Sequence, residues 1–288
     1  MKKITSLVVM IAVLASIMSV CLAQVIAPVA PIAPIEPVYP ANKSRVEYFA
    51  TFLVVATFEG IEHNPGPAQP LIYPERNINV ATFKIDKHLV YARYNEYGDS
   101  KSDVFGVIID NGEGTSPLID KALYDQIKDL KVGQKVLLSW DHLYVTDENG
   151  SKSPERPIRL LHPITNEQAA VMAEVPGPKP VNGVASTLDR YYIATANFAG
   201  LEKGLYKFII ADNLYTYHYN GIATLEFTFA FTVNPKTAHK SVLNQITKLK
   251  KNDLVLMGVR RDIVGHDLVL TPLFVVKTAA PVQPIQPL

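Results

Sequence analysis

The chain has 288 residues, 48% of them hydrophobic and 19% charged, which are globular proportions and exclude a disordered polymer. Its 28 basic and 27 acidic residues leave a net charge of +1, so a dominant polyanion-binding footprint is absent. The single cysteine, Cys21, excludes an intrachain disulfide framework, a multi-cysteine zinc site and an iron–sulfur cluster.

Met1-Lys2-Lys3, followed by the uncharged and mostly apolar run Ile4 to Val20, reads as a bacterial-type signal peptide over residues 1–23, cut after Ala23. Secretion, to the periplasm and cell envelope or beyond, is the localisation this implies. A lipid anchor at Cys21 is the rival reading, disfavoured because Val20 stands where a lipobox needs a small residue. No second apolar run approaches the ~20 residues that span a bilayer, so no transmembrane segment is expected after cleavage. Residues 24–41, QVIAPVAPIAPIEPVYPA, place a proline every few positions and read as an extended spacer.

Two folded stretches follow, 42–165 and 185–277, joined by a linker at 166–184 and trailed by a proline-rich tail at 278–288. In the first, strands are expected at 46–59, 81–95, 102–110, 134–146 and 157–163. Between the third and fourth, Ile119, Leu123, Ile127 and Leu130 share one face of an amphipathic helix. In the second, strands are expected at 190–199, 204–219, 253–261 and 266–276. Another strand is marked by the alternation of Leu225, Phe227, Phe229, Phe231 and Val233 with Glu226, Thr228, Ala230 and Thr232. Its helix carries Val242, Ile246 and Leu249. Ser116-Pro117 and Asn234-Pro235 offer N-cap chemistry ahead of the two helices.

The two stretches repeat one another. LVVATFEGIE, from Leu53, matches IATANFAGLE, from Ile193, at Ala56/Ala196, Phe58/Phe198, Gly60/Gly200 and Glu62/Glu202. ALYDQIKDLKVGQKVLL, from Ala122, aligns without a gap on SVLNQITKLKKNDLVLM, from Ser241, and keeps Gln126/Gln245, Ile127/Ile246 and Leu130/Leu249. In each copy the order is three strands, a helix and two strands. That order resembles the OB-fold, and the resemblance implies a mainly β chain of two tandem, OB-like small β-barrels, with ligands expected on the faces of strands two and three and in the adjoining loops.

Candidate ligand-binding residues follow from that scaffold. The long first loop, 62–79, offers His63, Tyr73 and Arg76. Tyr215, Tyr217 and Tyr219 stand at strand spacing and align with Val90, Ala92 and Tyr94. That pairing points this face into the barrel and leaves Tyr91, Arg93 and Asn95 toward solvent in one copy, with Thr216, His218 and Asn220 in the other. The acidic loops beginning at Asp110 and Asp147 lack EF-hand spacing and read as turns. No metal or other cofactor is expected. No GxSxG, P-loop or GxGxxG occurs, and Asp141-His142 are strand neighbours that point to opposite faces.

Residues 42–165 carry 14 basic and 17 acidic side chains and 185–277 carry 11 and 7, or −3 against +4. The expectation is therefore an exported, non-catalytic protein of tandem OB-like modules that acts in binding or structural assembly, with a protein partner or self-association. A glycan- or other polymer-binding module is the alternative, with nucleic acid disfavoured by the neutral charge. An enzyme with an unrecognised site is the third class.

Overall fold

The computed structural model describes residues 45–63, 78–110, 119–147, 149–179, 186–218 and 230–278. The signal peptide, the spacer, most of the 62–79 loop, most of the strand expected at 225–233, and nearly all of the tail lie outside the described residues.

The chain is mainly β and forms two tandem small β-barrels. The first contains β1 (Arg45–His63), β2 (Asn79–Arg93), β3 (Val104–Asp110), helix α1 (Lys121–Asp129), β4 (Lys135–Thr146), a short β5 (Lys152–Glu155) and β6 (Ile158–Ile164). Strand order is β3-β2-β1-β4, with both β5 and β6 paired to β4. After helix α2 (Asn166–Val171), the second contains β7 (Ser186–Glu202), β8 (Leu205–His218), β9 (Ala230–Val233), helix α3 (Lys240–Ile246), β10 (Leu254–Val264) and β11 (Asp267–Lys277). Its order, β9-β8-β7-β10-β11, is the same arrangement, and every pairing is antiparallel. The long first strand of each barrel joins the hairpin partner on one side to the strand after the helix on the other.

The repeated residues do the same jobs in both copies. Gly60 and Gly200, with φ of 134° and 105°, sit where β1 and β7 change register. Only glycine adopts such values without strain. Phe58 donates its amide to Gln134 and accepts from Gly133, while Phe198 donates to Asp253 and accepts from Asn252. Gly133 and Asn252, equivalent in the gapless alignment, both have positive φ. The matched glutamines tie each helix to the last strand of its barrel. Gln126 donates to the Leu161 carbonyl, and Gln245 accepts from the Val275 amide while donating to the carbonyl of Val171.

The helices begin later than the Ser-Pro and Asn-Pro dipeptides indicate. Asp120 caps α1, its carboxylate accepting the Leu123 amide at 2.7 Å, and His239 caps α3. Asn234 instead closes a turn of its own, its side chain accepting from Lys236 and its carbonyl from Thr237 and Ala238. Asn competes well for turns because its side chain mimics a backbone acceptor. Ser116 lies outside the described residues.

The segment read as a linker is packed over its described residues, 166–179. Thr165 and Gln168 form a reciprocal capping box on α2, and Ala169, Met172 and Val175 are buried. Lys87 of β2 closes the other end of α2, its ammonium reaching the carbonyls of Ala169, Ala170 and Met172 at 2.7–3.0 Å.

Alternation along β1 divides the core. Phe52, Val54, Ala56 and Phe58 fill the first barrel with Phe83, Phe105 and Trp140, whereas Leu53 and Val55 on the opposite face join Val90 and Leu137 in a core shared with the second barrel. Tyr191, Ile193, Tyr217 and Phe274 meet them from the other side. The outer face of the first sheet is thus buried against the outer face of the second. Among the described residues, no helix is long and apolar enough to cross a membrane.

Candidate binding groove at the end of the first barrel

Two clusters of tyrosine among the described residues occupy different surroundings. Tyr217 is 2% exposed, stacks on Tyr191 at 4.9 Å and meets the Tyr94 hydroxyl at 2.8 Å. The Tyr191 hydroxyl meets Ser139 of the first barrel at 2.6 Å. Tyr215 and Tyr217 are therefore core, as their alignment with Val90 and Ala92 implies, but they point across the seam and not into their own barrel, and Tyr219 lies outside the described residues. Burial holds the phenols of Tyr191, Tyr215 and Tyr217 well above their ordinary value, and the Asp141 carboxylate adds to this. Asp141, 1% exposed, is paired with Arg159 at 2.7 Å, which also bonds Tyr48.

This reverses the expected facing of the strand-two residues. Tyr91 is cross-strand to Phe52 and meets its ring at 5.2 Å in a tilted pair, inside the first barrel, with its hydroxyl donating to the Asp99 carbonyl. Thr216 lies opposite Tyr192, half-buried and bonded to Asn213. Both faces of these strands are apolar because both are covered, so hydrophobic content could not separate inside from outside. His218 ends β8 opposite Arg190. His63 is exposed and meets Asn79, which in turn donates to Asp110. Tyr73 and Arg76 lie outside the described residues.

Arg93 and Asn95 belong to a built turn. The Arg93 guanidinium donates to the Glu96 carbonyl, and Asn95 Oδ1 accepts the Tyr97 amide at 2.9 Å. The Tyr94 amide bonds the Phe49 carbonyl at 2.8 Å. A Cβ at Gly98 would strike that same carbonyl oxygen, so the close approach of turn to strand requires glycine there.

This turn is one wall of an open groove of about 590 Å³. Glu47 and Phe49 of β1, Tyr144 of β4 and Lys152 of β5 supply the rest, with Asn95, Glu96 and Tyr97 from the turn. Phe49 is central, its ring 4.8 Å from that of Tyr144 and 6.1 Å from that of Tyr97. Beneath it, His142 presents an edge at 5.4 Å and 90°. His142 Nδ1 accepts the Asp99 amide, and Arg156 holds the Asp99 carboxylate through two bonds of 2.7 and 2.9 Å. Burial pushes the His142 imidazole below its ordinary value against the opposing pull of Asp99, so the ring is neutral under the groove at pH 7.

Of the sequence-derived candidates, Asn95 lines this groove and Arg93 braces it. Phe49, Tyr97, Tyr144 and Lys152 were missed, the first and third because strand aromatics read as core. The exposed Asn-Glu-Tyr of 95–97 was the one signal available. The Asp147 loop is a turn, its carboxylate accepting the amides of Asn149 and Ser151. The chain matches no known protein-family model and no curated protein sequence.

Proposed function

We propose that this is an exported, non-catalytic binding protein of the cell envelope or exterior, in which the first barrel holds the ligand or partner and the second barrel and connecting segment support it. The observation that carries this reading is the groove. It combines an aromatic floor, a polar rim and a braced wall, the composition of a site built to hold something. The N-terminal signal pattern supports export.

Structural assembly by self-association is the second reading. It is favoured by the −3 and +4 halves of the chain and by the β10–β11 hairpin tip, where Ile263, Leu268 and Leu270 are exposed. The native mass of the purified chain, measured by light scattering at low and high salt, separates the two. A salt-insensitive monomer is expected for a binding module, and an oligomer that dissociates with salt would move the function to assembly.

A further inference from the structure

We infer that the first-barrel groove takes an uncharged saccharide, a proposal that rests on the groove being the binding site. Three features of the groove point to that class. The floor is a run of adjacent rings, and Tyr97 at its edge is 69% exposed, with its apolar surface uncovered by the protein's own packing. The rings are tilted by 43–44° to one another, so the exposed plane is that of Tyr97, and such a plane suits the C–H face of a pyranose ring.

The rim supplies donors and acceptors at the edge of that plane. Each sugar hydroxyl is both donor and acceptor, and a site for it needs both types of group. Glu47 contributes a carboxylate and Lys152 an ammonium, held 3.5 Å apart, and Asn95 contributes an amide whose oxygen is already committed to the turn. The charge balance then disfavours the main competitor for aromatic platforms. Glu47 and Glu96 stand against Lys152 in the lining, so a phosphate chain would find none of the cationic track that carries single-stranded nucleic acid.

The floor and the turn that carries Tyr97 are also held in place. Phe49 is fixed by the His142 edge beneath it and by the Tyr94 amide on its carbonyl, and the turn carrying Tyr97 is locked at Gly98. A pre-formed platform avoids the ordering cost that weakens binding to mobile loops.

The test titrates the full chain, by calorimetry at low and high salt, with soluble fragments of cellulose, chitin, mannan and starch. A synthetic peptide of residues 24–41 and oligothymidine are run beside them. The expected result is that at least one neutral saccharide binds with little salt dependence. Tyr97→Ala weakens it by about tenfold or more and Tyr97→Phe retains it. Peptide or oligothymidine binding that Tyr97→Ala abolishes, with no saccharide bound, would overturn the saccharide assignment and keep the groove as the site. Saccharide binding that is indifferent to Tyr97→Ala would overturn both, as would the failure of every probe to bind.

Discussion

The seam between the barrels and the groove at the end of the first are built from the same kind of side chain and do opposite things with it. At the seam, Tyr191, Tyr217 and Tyr94 give their rings to packing and their hydroxyls to Ser139 or to each other. At the groove, Phe49 is packed, but Tyr97 is left open beside a rim of charged and amide groups. Tyrosine is useful in both places because an apolar body carries a polar tip. Where the tip is spent inside the molecule, the residue stabilises; where body and tip both face outward, it can recognise.

The sharpest way to break the seam is at Asp141. Asp141→Ala leaves Arg159, 8% exposed, without its carboxylate, and should cost about 3–5 kcal/mol in urea unfolding. A loss below about 1 kcal/mol would mean that the pair is hydrated and not part of a sealed seam. Gly258→Ala comes next. An added Cβ would lie 2.5 Å from Cε1 of the buried Phe274 ring, and overpacking of this kind costs about 1–3 kcal/mol. An unaltered midpoint would show that the outer face of the second barrel is looser than its burial indicates.

Acidification should erode the molecule from the first barrel. His88, His142 and His162 all have values lowered by burial. The unfolded chain therefore binds protons that the folded one refuses, and stability falls as pH drops through the ordinary histidine value near 6.5. His142→Gln should flatten part of the decline in thermal midpoint between about pH 7 and pH 5. A profile unchanged by that substitution would assign the sensitivity to His88 and His162. The smallest effect is expected at the groove. Tyr97→Ala should leave stability within ~0.5 kcal/mol, because its exposed ring supports little, and a larger loss would make it a structural residue after all.

The strand order was readable from sequence because alternation and the internal repeat gave independent signals, and the described strands fall within a few residues of expectation except β5, which no expected strand covers and whose four residues are too few to show a period. Helix starts were not, since two good turn-formers at 116 and 234 lie upstream and a capping aspartate at 120 looks like any surface acid. Helix α2, with six residues, is too short to show a period, and its capping box is its only mark. The seam could not be told from a barrel interior, because a strand covered on both sides carries no solvent-facing register. The groove was legible only at Asn95; its floor is assembled from β1, β4 and a turn that come together only on folding.

The seam also has a history written into it. The same outer patch of each copy meets its counterpart, Leu53, Val90 and Leu137 on one side and the equivalent Ile193, Tyr215 and Leu256 on the other. A lone ancestral module with that patch would have been a homodimer, since a self-complementary surface closes on a second copy of itself. Joining the two copies in one chain makes the pairing intramolecular, so it does not depend on concentration and the two halves need not be identical. At the same position one copy carries Ser139, which meets a tyrosine hydroxyl, and the other carries Gly258, which leaves room for a phenylalanine ring.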